Sequence, residues 1–394
     1  MDWYNSIKNE KNIIKIYESI FKQLKKHTSI ILNSDEEINK TKLKRKFYTI
    51  KVDTDEKIDL LGKYLIFYYL LAQNNYKNLI ASLDFEFNTK IIALMQICFE
   101  WDNNEIFIFV FYPPDLDSVY IRALIKILTH KNITKILHGA EALDIPYVFD
   151  ELLQRKKYIK KFLRNMIDTR FYCEYYNYVK KFPERKCKIY YLLKDFNIIT
   201  QKKLDDLNKN GEEMGNISDI IIDVRKMSDA LLKYSLYDVI FLKDLYLSFP
   251  LNDEYYKFIL PEITALSYLN NRKLSKSIID LNLLINKINN YYTIKNNNRV
   301  TLISFFKHEY TKLKNNILVL LAENVKYFKK TIIIFLKYFI YKKKLDKYIF
   351  NKNKNEKYRN ELNSELIVRL KKYPHLYKLY YKIYEYNFSL SKTI

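Results

Sequence analysis

The stretch SLDFEF, residues 82–87, sets two carboxylates, Asp84 and Glu86, inside an apolar run that alternates like a β-strand. Residues two apart on a strand point to the same face, so the pair projects side by side, about 7 Å apart along the backbone. Each raises the other's pKa unless a cation lies between them. A divalent metal is the first chemistry this spacing suggests. Mg²⁺ or Mn²⁺ engaged in phosphoryl chemistry needs several hard oxygen ligands converging from separate elements. Two later stretches can supply them. LHGAEALDI, residues 137–145, places Asp144 just past a strand end and a rare glycine, Gly139. KYSLYDVIFL, residues 233–242, reads as an apolar-periodic helix. There Tyr234 and Asp238, four apart, share a face.

The elements that must carry these residues follow from hydrophobic period. Residues 1–45 read as helix: in NIIKIYESIFKQLKK the apolar positions Ile13, Ile16, Ile20 and Leu24 fall at helical spacing. The polar stretch NSDEEINKTKLKRK reads as a linker, FYTIKV (47–52) as a strand and DEKIDLLGKYLIFYYLLAQ (55–73) as a helix. Three strand-like runs come next, LIASLDFEF, IIALMQICFE and EIFIFVFY, the last two joined by the turn-like WDNN. A helix over 115–130, a short strand ITKILH (133–138) and a helix through EALDIPYVFDELLQ complete a strand-helix alternation. In that last helix Pro146 is tolerated only near the first turn. The order predicts an α/β sheet with a mixed edge. The acidic stretch at 205–223, DDLNKNGEEMGNISDIIID, lacks a calcium-loop pattern and reads as a solvated insertion. Asp168 and Thr169 read as a helix N-cap pair. Tyr237 and His138 read as packing residues rather than ligands.

Composition sets the partners. The 394-residue chain carries a formal net charge of +23, and residues 251–394 hold 28 Lys and Arg against 11 Asp and Glu, a net +17. A field of that size attracts polyanions, nucleic acid first and an anionic membrane surface second. The wealth of Lys, Asn, Ile and Tyr also reflects AT-rich coding, as in giant DNA viruses and some protists, which discounts the lysine count. Lysines interleaved with aromatics in the tail, as in KYFIYKKKLDKYIF, suit base stacking with phosphate contact, or an amphipathic helix with its tyrosines packed inward. Cys98, Cys173 and Cys187 stand at spacings that suggest neither a disulfide framework nor a zinc site, which fits a reducing compartment. The N-terminus lacks a signal-peptide core. TIIIFLKYFIY, residues 331–341, is half the length of a membrane span and contains Lys337. The expectation is an intracellular protein, cytoplasmic or nuclear, or in the host cytoplasm if viral, with no membrane partner.

In order and context, four segments resemble the motifs of the DEDDy branch of the DnaQ-like 3'-5' exonucleases, close to ribonuclease D, the exosome exonuclease and the Werner-type exonuclease domain. LDFEF resembles the first motif, Asp-x-Glu on the opening strand. ILHGAEALDI is similar to the second, MIDTRFYCEYY to the helix start that follows, and YSLYD to the third, Tyr-x-x-x-Asp. LMQICF resembles the family's Gln-bearing second strand and KIYYLLKDFNI the helix between motifs; the likeness covers residues 46–250. It departs at one place: His138 to Asp144 is six steps where the family usually has five.

The resemblance implies a ribonuclease H-like α/β domain with a mixed five-stranded sheet over residues 46–250, after a helical extension at 1–45 and before a basic helical domain at 251–394. It implies a metal-dependent 3'-5' exonuclease that hydrolyses phosphodiesters of single-stranded nucleic acid with two divalent ions, Mg²⁺ or Mn²⁺. Asp84 would be shared by both ions, Glu86 and Asp238 would hold the ion that activates water, and Asp144 would serve the ion near the leaving 3' oxygen. Tyr234 would orient the water. Thr89 and Gln96 are candidate substrate contacts. RNA is favoured over DNA; the rival readings are a DNA-directed exonuclease of replication or repair and an inactive RNA-binding scaffold.

Overall fold

The protein was described from a computed structural model covering residues 10–33, 45–101, 104–180, 186–214, 221–249, 254–269 and 275–279, together with 182 and 273. Its strands, in chain order, are β1 (Ile30–Asn33), β2 (Lys46–Lys51), β3 (Leu79–Asn88), β4 (Ile91–Glu100), β5 (Glu105–Phe111), β6 (Ile133–Leu137) and β7 (Met166–Asp168). They form one sheet in the spatial order β1-β2-β5-β4-β3-β6-β7. β4 runs antiparallel to both β3 and β5, whereas β3, β6 and β7 run parallel to one another. The five strands β2 to β6 are those that the sequence predicts, and together they form a sheet of mixed direction.

The sheet is wider than expected. β1 pairs antiparallel with β2 at one edge and β7 pairs parallel with β6 at the other, so seven strands replace five. The segment before residue 46 is therefore not wholly helical: after helix α1 (Glu10–Lys26) the chain turns and adds β1. A four-residue strand is too short to show a period. α1 buries Ile20 and Leu24 as its period predicts. The side chains of Ile13 and Ile16, the NSDEEINKTKLKRK segment apart from its ends, and everything beyond residue 279 lie outside the described residues, including TIIIFLKYFIY and KYFIYKKKLDKYIF.

Alternation on β2 shows how the two faces divide. Tyr48 stacks on Phe107 and meets Phe21 of α1, whereas Phe47, one residue earlier, meets Phe241. On the first face lie α1, α2 (Asp55–Gln73) and α3 (Ser118–Leu128), packed in that order. Tyr64, Tyr68, Phe99, Phe107 and Phe109 build its core with ring centroids 4.6–6.5 Å apart. Thr54 caps α2 at the Lys57 N–H, and Asp117 caps α3 at the N–H groups of Val119 and Tyr120. Gly62 lets the two helices meet, because a Cβ there would strike the Tyr120 ring.

The chain's later helices are α4 (Asp144–Tyr147), α5 (Lys156–Leu163), α6 (Thr169–Lys180), α7 (Ile189–Asp195), α8 (Gln201–Met214), α9 (Asp229–Ser235), α10 (Leu242–Ser248) and α11 (Glu254–Leu269); α5 packs against α3, with Phe162 beneath Lys135. Of these, α10 packs on β3 and β6, and α11 on β7 and α6. α8 occupies the first half of the acidic stretch read as an insertion. The first compact unit runs Met1–Asn286, so α11 belongs with it although it follows the expected boundary at residue 250. Cys173 of α6 is joined to Cys187 in a disulfide, which corrects the reading of three unrelated cysteines. Their pairing depends on how α6 and the following segment meet in space, which a spacing of 14 residues does not reveal. Among the described residues no helix is long and apolar enough to cross a membrane.

Lys135 of β6 is fully buried, its Nζ donating to the Ile133 carbonyl at 3.2 Å, and burial lowers its pKa to about 7. The unfolded chain holds that proton up to about pH 10, so between about pH 7 and 10 it binds more protons than the fold and stability rises with pH. Lys135→Met should raise unfolding free energy on the order of a few kcal/mol near pH 7 and flatten the slope toward pH 10. Urea melts across that range check it; an unchanged slope would mean that Lys135 keeps its proton in the folded chain.

Candidate metal centre

Asp84 and Glu86 lie on the face of β3 opposite α1, α2 and α3. In the antiparallel register Asp84 stands opposite Gln96 and Glu86 opposite Leu94, and the register shifts between Glu86 and Phe87. A bulge re-aims the side chains beside it. Leu83 and Phe85, on the other parity, are buried. Gln96 is fully buried and its Nε2 donates to Asp84 Oδ2 at 3.4 Å. It therefore serves Asp84 directly. Thr89 sits at the β3–β4 hairpin tip, exposed and at φ +62°, away from that pair.

Asp238 arrives from a distant segment pinned at both ends. Before it, Asn88 exchanges two hydrogen bonds of 2.8 Å with the backbone of Ile222, and Lys51 Nζ donates to the Met227 carbonyl at 3.3 Å. After it, buried Glu100 accepts from Arg45 at 3.3 Å and from Lys243 at 2.9 Å, and Arg45 reaches Asp244 at 2.6 Å. The continuous helix expected over 233–242 is broken: α9 stops at Ser235, a 3₁₀ turn spans Leu236–Asp238, and α10 begins at Leu242. Hydrophobic period alone does not reveal that change of pitch, since apolar residues crowd the stretch on every side. Tyr237 is buried, as its packing role predicts. The backbone of Tyr234 lies in α9, but its side chain is outside the described residues.

The result is a convergence of three carboxylates. One oxygen each from Asp84, Glu86 and Asp238 lie within 4.8 Å of one another. Burial, then the charges of Asp238, Glu86 and Asp144, hold Asp84 well above the usual carboxylate range. Burial alone lifts Glu86 to about 7. Burial and then Glu86 push Asp238 to about 8, while the nearby Tyr190 hydroxyl of α7 pulls the other way. Among the described residues no lysine or arginine pairs with these acids. A hard divalent cation suits an all-carboxylate donor set that lacks any internal counter-ion.

Asp144 stands beside this trio rather than within it. It opens α4, and burial followed by the charges of Asp168 and Glu86 raises it to about 8. The additional residue between His138 and Asp144 is taken up in a wide turn, where Ile145 N–H reaches back five residues to the Ala140 carbonyl at 3.0 Å. The same widening persists as a π-helical turn over Val148–Leu153. Pro146 falls in the first turn of α4, where it removes no helical bond. Glu141 lies on the side of Glu174 and Tyr268, whose hydroxyl and carboxyl its charge raises. His138 is a structural link, as expected: its Nε2 lies 2.9 Å from the Cys187 carbonyl, which can only accept, so Nδ1 at 2.8 Å accepts from Thr169 Oγ1.

Sequence reasoning missed Tyr190. Nothing local distinguishes it among 37 tyrosines, since its role depends on α7 beginning beside Asp238.

No family model matches the chain. A protein of Acanthamoeba polyphaga mimivirus, described as uncharacterised, is 29% identical over 297 residues, covering 69% of this chain and 58% of that protein. The chain thus spans a little over half the length of that relative. Among solved structures, Brucella melitensis NrnC is similar at 14% identity and a TM-score of 0.35, over 53% of this chain and 87% of its own. Escherichia coli RNase D, an exoribonuclease involved in structured RNA processing, is similar at 16% identity and a TM-score of 0.36, over 56% of this chain and 50% of its own.

In chelator the crowding of the three carboxyls remains, so Asp84→Asn should raise the melting temperature by a few degrees by removing the cost of either ionising or protonating Asp84 there. Mn²⁺ should stabilise the wild type and much less so the variant. Thermal melts with and without chelator read both effects; an equal Mn²⁺ shift in both proteins would remove Asp84 from the metal ligands.

Proposed function

We propose that the protein is a divalent-metal-dependent 3'-5' exonuclease of the DEDDy type, acting on single-stranded nucleic acid, with RNA favoured over DNA. The observation that carries this reading is the meeting of Asp84, Glu86 and Asp238, from β3 and from a turn some 150 residues later, with their oxygens inside 4.8 Å. Such a donor set fits divalent cations, and the motif order around it supports phosphodiester chemistry.

The residues divide the work as follows. When bound, divalent ions at such a cluster acidify a water and neutralise charge at the attacked phosphate. Asp84, held by Gln96, would be the ligand common to two ions. Glu86 and Asp238 would complete the side that receives the water, with Tyr190 close to Asp238. Asp144, set apart from the trio at the start of α4, serves the side of the leaving 3' oxygen. Tyr234 orients the attacking water through its hydroxyl, leaving deprotonation to the metal-ligand side because an unshifted phenol is a weak base at neutral pH. The +23 net charge supports a polyanionic substrate. The preference for RNA rests on motifs that follow ribonuclease D and the exosome exonuclease.

The test uses 5'-labelled RNA and DNA single strands of equal sequence, with Mg²⁺, Mn²⁺ or chelator. A ladder that shortens from the 3' end only with metal, faster on RNA, is the expected result. Metal-independent cleavage or internal cuts would overturn the reading, and faster shortening of DNA would reverse the substrate preference.

Two sets of variants locate the site. Asp84→Asn should lose at least about 100-fold in rate and Tyr234→Phe about 10- to 1,000-fold. Asp144→Ala should be inactive at every metal concentration while Glu141→Ala stays near the wild type. The reverse pair of results would show that the wide turn had handed ligation to Glu141.

A further inference from the structure

The buried carboxylate of Asp168 gathers donors from three directions. It is fully buried at the end of β7. Oδ1 accepts from the N–H groups of Gly139 at 3.0 Å, Arg170 at 2.8 Å and Phe171 at 3.2 Å. Oδ2 accepts from Ala140 N–H at 3.1 Å and from the Tyr268 hydroxyl. The Arg170 and Phe171 bonds are the helix cap expected of this residue. Those to Gly139 and Ala140 are not, because capping α6 does not require them.

Those two N–H groups begin the wide turn that ends at Asp144. Gly139 adopts φ +71°, where an added side chain is strained and would press on Arg170 at 3.0 Å. Ala140 in turn gives its carbonyl to Ile145, the residue after Asp144. A continuous bonded path therefore runs from Asp168 through Ala140 to the backbone that carries Asp144. Tyr268 closes it from α11, which packs on β7 and α6. Burial and the nearby acids Asp168, Glu141 and Asp144 keep its hydroxyl protonated, hence a donor.

We propose that Asp168 and Tyr268 are positioning residues for Asp144, fixing the wide turn so that its carboxylate stands in register with Asp84 and Glu86. The inference rests on the metal-centre reading above. It also makes α11 part of the catalytic unit. Neither residue touches the reacting atoms; both act through the turn, as outer partners that orient metal ligands do.

The test compares full-length wild type, Tyr268→Phe and Asp168→Asn, with Tyr246→Phe as a matched loss of hydroxyl away from Asp168. Mn²⁺ binding by calorimetry is measured separately from RNA hydrolysis. Tyr268→Phe should weaken the Asp144-dependent binding event about tenfold and raise the half-saturating Mn²⁺ for hydrolysis equally, with the maximal rate recovered at high metal. Asp168→Asn should do the same more strongly, and Tyr246→Phe should match the wild type. The event that Asp144→Ala abolishes identifies the site.

A purely structural role predicts instead a smaller active fraction at every Mn²⁺ concentration, and that result overturns the proposal, as does unaltered Mn²⁺ binding in folded Tyr268→Phe. If Tyr268→Phe does not fold, Asp168→Asn decides by the same criteria. If the wild type binds Mn²⁺ yet leaves RNA intact, the functional reading fails while the binding comparison still decides the positioning role. A wild type that binds no Mn²⁺ overturns both.

Discussion

Asp84, Glu86 and Asp238 repel one another where little water is left to screen them. At separations inside 4.8 Å, and with an effective dielectric constant of about 20, each pair of ionised carboxylates costs at least about 3 kcal/mol. Three such pairs approach the net stability of a whole domain, about 5–15 kcal/mol. A cation or a proton must therefore offset the charge, and everything that holds the trio together acts against this force. The restraints are correspondingly numerous. Asp238 is held by Asn88 on one side and by the Arg45, Glu100, Lys243 and Asp244 network on the other. Asp84 is held by the sheet and by Gln96.

The two faces of the sheet divide this burden. The face covered by α1, α2 and α3 is an aromatic core with few polar demands, and it provides cohesion that does not depend on the site. The opposite face carries nearly all the buried ionic groups. Arg45 shows how that arrangement works: burial disfavours its charge, but Asp244 and Glu100 more than compensate. The ion pairs around Glu100 differ from the trio in having both signs present, so they are satisfied within the chain. The trio is not.

Much of this was legible in the sequence where a single element decided it. The α2 helix begins and ends at residues 55 and 73 as its period predicts, since Thr54, Asp55 and Glu56 mark its start and apolar residues recur through its length. Asp84 and Glu86 were found because period 2 fixes their shared face without reference to any other part of the chain. The features that were missed depend on distance in space. The strand β1 exists because β2 offers an edge, the disulfide because α6 meets the segment before α7, and the placement of Tyr190 and Tyr268 because helix ends lie beside particular acids. Asp168 is the intermediate case: its capping of α6 is local and was read, while its grip on Gly139 and Ala140 crosses from β7 to β6 and was not.

The sheet ends on both sides in its shortest strands, four residues in β1 and three in β7. A margin of that length presents only two or three free backbone donors or acceptors to an incoming chain, too few to hold an added strand in register. Broad backbone pairing with another polypeptide is thus disfavoured along those two outer strands. Recognition along those margins falls to side chains, whose charges respond to ionic strength in a way that a ladder of peptide bonds does not.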